Sequence, residues 1–82
     1  MNNYSYVQYE GECYIRIGIS QNREKKLYFH IVSIKDFYEI IKFYGKSNIE
    51  GILYLHSMKV NMEDVIEITD SKKIESIKIL YE

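Results

Sequence analysis

Two segments in the first half of the chain alternate apolar and polar residues as strands do. The segments "CYIRIGIS" (13–20) and "LYFHIV" (27–32) each place an apolar residue at every second position. Successive side chains of a strand point to opposite faces, and the polar connection "QNREKK" joins the two segments, which predicts an antiparallel hairpin with one buried side. The side chains expected on that buried side are Cys13, Ile15, Ile17, Leu27, Phe29 and Ile31.

The opposite side of this hairpin is expected to carry rings and cations. By the same alternation it presents Tyr14, Arg16, Tyr28 and His30. These side chains suit stacking and cation–π contact with a protein, a single-stranded nucleic acid or a nucleotide. Two alternatives stay open: this side is an exposed binding surface, or a terminal segment covers it as in a small barrel.

A helical pattern follows in "SIKDFYEIIKFYGKS", from Ser33 to Ser47. Ser33 is a suitable N-cap, and Gly45 is a natural stop because it can adopt the left-handed conformation. At about 100° per residue one side of this helix is apolar. The residues on that side are Ile34, Phe37, Ile41 and Tyr44.

Phe43 does not belong to the apolar side of this helix. It lies about 180° from Ile34, among charged residues. Three interpretations stay open: another segment covers Phe43 as core, Phe43 lies at a dimer interface, or Phe43 anchors a foreign partner.

Further strands are predicted on both sides of these elements. Residues 4–9 are rich in β-formers, "IEGILYLHSM" (49–58) has apolar residues on both faces, and "IESIKILYE" (74–82) resembles a final strand. For "VNMEDVIEIT" a strand beginning near Val65 is favoured over a short helix capped by Asn61. The order β-β-β-α-β-β-β predicts a single α+β domain, residues 1–82. Its sheet is mostly antiparallel with five to six strands, strongly twisted or partly closed, around one central helix.

Composition limits the classes of function. The chain of 82 residues has nine tyrosines, no proline and one cysteine, Cys13, so no disulfide framework supports it. No segment resembles a signal peptide or a membrane span, and a cytoplasmic location without membrane contact is expected. The formal net charge of −1 excludes a polycation. Charge is nevertheless uneven: residues 23–46 carry +3 and residues 61–82 carry −3.

Catalytic and metal-binding patterns are absent from the sequence. His30 and His56 have no Asp, Glu or Cys neighbour at ligand spacing, and Cys13 is in line with aliphatic residues. We therefore expect no enzyme activity, no metal and no cofactor.

One segment, "GILYLHSMKVNMEDVIE" (51–67), resembles the RNA-binding core of the Sm/Lsm family. The matching positions are Gly51, Leu53, Val60 and Asn61, whereas Ser57 stands where that family has aspartate. The resemblance implies a small β-barrel that binds RNA or a nucleotide, with Asn61 in contact with a base.

These observations favour a small non-enzymatic binding module that acts by protein–protein contact. It would serve as a regulator, adaptor or inhibitor of a larger machine, and its size fits an origin in a phage or mobile element. The predicted binding residues are Tyr14, Arg16, Tyr28, His30 and Phe43. A homodimer is a second expectation, because a small domain often hides apolar surface by self-association. RNA or nucleotide binding is the alternative function.

Overall fold

One antiparallel sheet and three helices make up the part of the chain that the structure describes. This computed structural model describes residues 4–21 and 26–81, without the side chains of 19–21 and 26–28. The strands are β1 (Tyr4–Tyr9), β2 (Glu12–Gln21), β3 (Lys26–Ser33) and β4 (Ile66–Glu67), in the spatial order β3-β2-β1-β4. The helices are α1 (Ile34–Tyr44), α2 (Glu50–His56) and α3 (Ser71–Tyr81).

The α+β class and the antiparallel sheet agree with the sequence prediction, but the predicted five to six strands with one central helix are wrong. Residues 50–56 and 71–81 are helices α2 and α3, where strands were expected. The stretch around Val65 combines both expectations: Met62–Asp64 form a 3-10 turn, and the short β4 follows at Ile66.

The two hairpins of the sheet have different connections. Glu10 and Gly11 join β1 to β2 with φ values of 49° and 82°, and two positive values are what a two-residue type I′ turn requires. The predicted hairpin of β2 and β3 is confirmed, with Ile15 opposite Val32 and Ile17 opposite His30. Its connecting residues 22–25 lie outside the described part.

Helix α1 begins and ends where the sequence predicts. The Asp36 backbone N–H donates to the Ser33 side-chain oxygen at 3.1 Å, which satisfies one amide that the first turn leaves free. Gly45 has a φ of 83°, and its N–H donates to the Ile41 carbonyl. These caps fix the length of α1 and therefore the place where the chain reverses into α2.

All three helices pack against the same side of the sheet, which we call the helix face. Phe37 from α1, Leu53 from α2 and Ile77 from α3 are all buried there. The remaining members of this core are Tyr6, Ile15, Ile17, Val32, Ile34, Ile40 and Ile49. The sequence predicted that Ile31 of β3 faces the helices. Val32 and not Ile31 joins this cluster, so the residues of β3 that face the helices are shifted by one position from the prediction.

Aromatic contacts hold α3 beside α1. The Tyr81 ring stacks on the Tyr38 ring with 5.6 Å between centroids and 7° between planes. The Tyr38 hydroxyl in turn forms a hydrogen bond with the Tyr6 hydroxyl of β1. Together with buried Ile77, this chain of rings fixes the last helix over the sheet.

The opposite side of the sheet contains two fully buried residues, Val7 and Ile31, each 0% exposed. Both alternate with residues of the helix-face core, so no helix covers them. Met58 pairs with Ile31 at the outer edge of β3, and Ile66 pairs with Gln8 at the far edge of β1. Residues 59–65, which we call the strap, therefore connect the two edges of the sheet.

The strap has the length to cross that side. Four strand spacings of about 4.8 Å separate Met58 from Ile66, about 19 Å in total. Of the eight residue steps between them, three belong to the 3-10 turn and rise about 2 Å each, so with five extended steps the segment reaches about 22 Å. The helix face is already filled by the helices. Burial first, then Glu10 and then Asp64 in the strap raise the pKa of Tyr9, which lies two residues from Val7 and on the same side of β1. We conclude that the strap covers Val7 and Ile31, and we call this side the strap face.

None of α1, α2 and α3 has both the length and the apolar character that a membrane crossing needs.

Candidate functional site

Phe43 is among the most exposed large apolar side chains of the described residues, at 80%. Phe37 in the same helix is 1% exposed. Six residues at about 100° each separate their directions by about 120°, so a helix that buries Phe37 must turn Phe43 away from the core. Of the three interpretations for Phe43, core burial within a single molecule is therefore wrong, and the dimer interface and the foreign partner remain predictions.

A groove runs along the outer side of α1 next to Phe43. Its volume is about 640 Å³, and His56 at the end of α2 lines it together with six described side chains of α1: Asp36, Glu39, Ile40, Lys42, Phe43 and Tyr44. Ile40 forms part of its floor, and the Phe43 and Tyr44 rings meet edge to face at 4.8 Å. The groove thus combines an apolar floor with an aromatic rim.

Charged side chains stand at both ends of this groove. Asp36 lies in the first turn of α1, and its carboxylate is 3.9 Å from Nδ1 of His56. Both side chains are largely exposed, so this contact adds little stability. Lys42 lies in the last turn, where a cation complements the helix dipole. Asp36 beside His56 therefore marks the start of the groove, and Lys42 marks its end.

This groove could not be predicted while residues 49–58 were interpreted as a strand. Among the described residues, its one lining residue outside α1 is His56, at the end of α2, and a helix is what returns His56 to the start of α1 after the turn at Gly45. A signal was present in the sequence, since Ile49, Leu53 and His56 recur at spacings of four and three residues, as one side of a helix does. Ile49 and Leu53 are indeed buried against the sheet.

The structure does not bring the predicted hairpin site together on one face. Tyr14 and Arg16 lie on the strap face, whereas His30 is opposite Ile17 and lies on the helix face. The Tyr28 side chain lies outside the described part. The predicted common face is therefore wrong, and binding by each residue alone stays a prediction.

Arg16 is engaged by neighbours on the strap face. Its guanidinium carbon lies 5.3 Å from the centre of the Phe29 ring, and one guanidinium nitrogen is 3.6 Å from a Glu67 carboxylate oxygen. The Phe29 ring is attracted to the Arg16 cation, and the Glu67 carboxylate neutralises the charge of that cation. These contacts tie β2 to β3 and β4, which is a structural role.

Tyr14 also has partners within the sheet. Its ring meets the Tyr9 ring at 6.3 Å, and its hydroxyl donates to a Glu12 carboxylate oxygen at 3.2 Å. Burial first, and then the hydrogen bond to Glu12, raise the pKa of the Tyr14 phenol. Carboxylates around this ring oppose the approach of a phosphate backbone.

The side chain of His30 in β3 points towards α2 and the residue that follows it. Its ring meets the Tyr54 ring edge to face at 5.2 Å, and its Nδ1 lies 3.4 Å from the Ser57 hydroxyl. That hydroxyl donates its single proton to the Tyr54 carbonyl at 2.7 Å, so it can only accept from His30. The contact therefore favours the tautomer protonated at Nδ1.

We expect His30 to make stability depend on pH. Burial, and secondly repulsion from Lys59, lower the pKa of His30 from its ordinary value of 6.5. The unfolded chain then binds the proton more tightly than the folded protein, so stability is complete above about pH 6.5 and declines as the pH falls below it. Urea unfolding from pH 7.5 to 5 should show a smaller decline in His30→Gln than in the wild type.

The second histidine provides the control for this experiment. In His56→Gln the decline assigned to His30 should persist. Parallel pH profiles for wild type and His30→Gln would contradict the assignment.

The segment that resembles the Sm/Lsm core has a different conformation in this protein. Residues 50–56 form α2, and Asn61 caps the 3-10 turn, where its side-chain oxygen accepts from the Glu63 N–H at 3.1 Å. The expected barrel strands are therefore wrong here. Glu63 and Asp64 closely follow Asn61, so its surroundings are acidic, and base contact by Asn61 stays a prediction.

Within residues 4–21 and 26–81, no three His, Cys, Asp or Glu side chains are grouped closely enough to hold a metal ion. Cys13 is a free, partly buried thiol packed against the helix-face core. Comparisons with protein-family models, with curated proteins and with solved structures find no match for this chain. The groove beside Phe43 is the arrangement of described residues best suited to binding.

Proposed function

We propose that this protein is a non-enzymatic binding module that acts in the cytoplasm by protein–protein contact. The contact surface is the groove along α1, with Phe43 as its anchor. A regulator, adaptor or inhibitor of a larger assembly works in this way. A cytoplasmic location agrees with a chain whose single cysteine cannot form an internal disulfide.

The observation that carries the proposal is the exposure of Phe43. Burying a phenylalanine side chain yields about 1.5–3 kcal/mol, and this molecule leaves 80% of the side chain in water. Aromatic residues are enriched at the energetic centres of protein interfaces, particularly beside a pocket that excludes water. The apolar floor at Ile40 and the aromatic neighbour Tyr44 provide such a setting.

Site-specific crosslinking tests this proposal in the cells that naturally contain the protein. A photoreactive phenylalanine analogue at position 43 should form a discrete covalent adduct with a protein, because the anchor lies inside the contact. The adduct is identified by mass spectrometry. We expect the crosslinking yield to fall at least about tenfold when Tyr44→Asp is introduced together with the analogue, since Tyr44 is 56% exposed at the rim of the groove and a charge there opposes apolar binding.

Ile79 provides a matched control. It is 76% exposed on α3 and does not line the groove. The same analogue at position 79 should not give the adduct found at position 43. Identical adducts from both positions, or no adduct at position 43, would refute the assignment of this surface.

A further inference from the structure

The anchor and the groove lie side by side on one helix, which makes this surface complementary to itself. Phe43 projects from α1, and beside it the groove has the half-exposed Tyr44 ring at its rim and the edge of buried Ile40 at its floor. Two molecules related by a twofold axis can each place a projecting ring in the groove of the other. Resting on the proposed function, we infer that the protein partner at this groove is a second copy of the chain.

The helix geometry defines how the two copies meet. A twofold axis perpendicular to two adjacent α1 helices makes them antiparallel. If Phe43 of one copy lies level with Ile40 of the other, the helices cross near Ile41 and Lys42. With 11 residues, α1 is about 16 Å long, and in this register residues 39–44 of one copy lie against residues 39–44 of the other.

Charge favours this antiparallel arrangement. Measured along the helix axis, Lys42 of one copy then lies about 3 Å from Glu39 of the other copy. Both side chains lie on the same flank of the interface. The reciprocal pair forms by symmetry. A parallel pair of helices related by a twofold axis would instead place the Glu39 and Lys42 side chains of the two copies on opposite flanks, where no such pair of opposite charges forms. The two reciprocal Glu39–Lys42 pairs thus favour the antiparallel orientation of a second copy.

Sedimentation equilibrium of the purified full chain tests the inference directly. Over about 1 µM to 1 mM the wild type should show a reversible monomer–dimer equilibrium. Phe43→Ser should weaken dimerisation by at least about tenfold, because each dimer loses two buried rings. Ile79→Ser, which removes an equally exposed apolar residue outside the groove, should leave the dimerisation constant unchanged.

A charge exchange tests the orientation and the identity of the partner together. Glu39→Lys alone and Lys42→Glu alone should each weaken dimerisation, because like charges then face each other. A mixture of the two variants should dimerise at least as well as the wild type. In that heterodimer one copy carries lysine at both positions and the other carries glutamate at both, so each facing pair has opposite charges.

The outcomes separate this inference from the proposed function. A monomer at all concentrations, or a mixture no tighter than each variant alone, overturns the second copy as partner. If the crosslink at position 43 then joins a different protein, the proposed function survives and only the inference fails. If no crosslink forms either, both fail.

Discussion

Replacing Phe37 with alanine should lower the free energy of unfolding by about 3–5 kcal/mol, because the ring is 1% exposed at the centre of the helix-face core. It contacts the rings of Tyr4 at 5.1 Å and Tyr38 at 5.5 Å, and an alanine leaves a cavity between them. A domain of this length has a total free energy of unfolding of about 4–12 kcal/mol. Urea unfolding followed by circular dichroism measures the loss.

Phe43 in the same helix provides the control for this measurement. Phe43→Ala deletes the same atoms from an 80% exposed position, and alanine is the better helix former. At low micromolar concentration its stability should stay within about 0.5 kcal/mol of the wild type. Equal losses in both variants would mean that Phe43 is buried, and the groove would lose its anchor.

The hairpin and α1 were predictable because their signals are local. Cys13, Ile15 and Ile17 are followed by a connection too polar to be core, so the strand has clear ends. Ser33 and Gly45 mark the ends of α1 through the conformations their own backbone adopts. Neither signal depends on what the rest of the chain does.

The helices α2 and α3 were missed because their residues have strong β-propensity. Isoleucine and tyrosine are frequent in both segments, yet tertiary packing outweighs intrinsic preference. In α3 the spacing of Ile74, Ile77 and Tyr81 is helical, and the Asp70 side chain accepts from the Lys72 N–H at 3.0 Å as an N-cap. Those spacings were a better guide than composition.

The predicted hairpin site failed for a different reason. β3 has apolar residues on both of its faces, since Val32 and Ile31 are each fully buried. Alternation therefore could not decide which set faces the helices, and a shift of one residue moves every side chain to the other side. The strap is what makes a second apolar face possible, and its path depends on contacts far apart in the chain.

Replacing Ile31 with lysine should prevent folding, because the strap seals this position from water. On an open sheet face a lysine would extend its ammonium into solvent, and the substitution would cost little. Under the strap the charge is buried without a partner, beside the cation of Arg16 on the neighbouring strand. We expect a loss of more than about 4 kcal/mol, seen as a collapsed amide proton dispersion in NMR.

Phe29 allows the same change two residues away on the same strand and the same face. It is 47% exposed, so Phe29→Lys should fold and lose about 1–2 kcal/mol, mainly from its contact with Arg16. The difference in free energy of unfolding between the two variants measures how well the strap covers Ile31. The strand, the face of the sheet and the introduced charge are the same in both. If Ile31→Lys folds as well as Phe29→Lys, the strap does not seal the sheet, and the strap face is open to a partner after all.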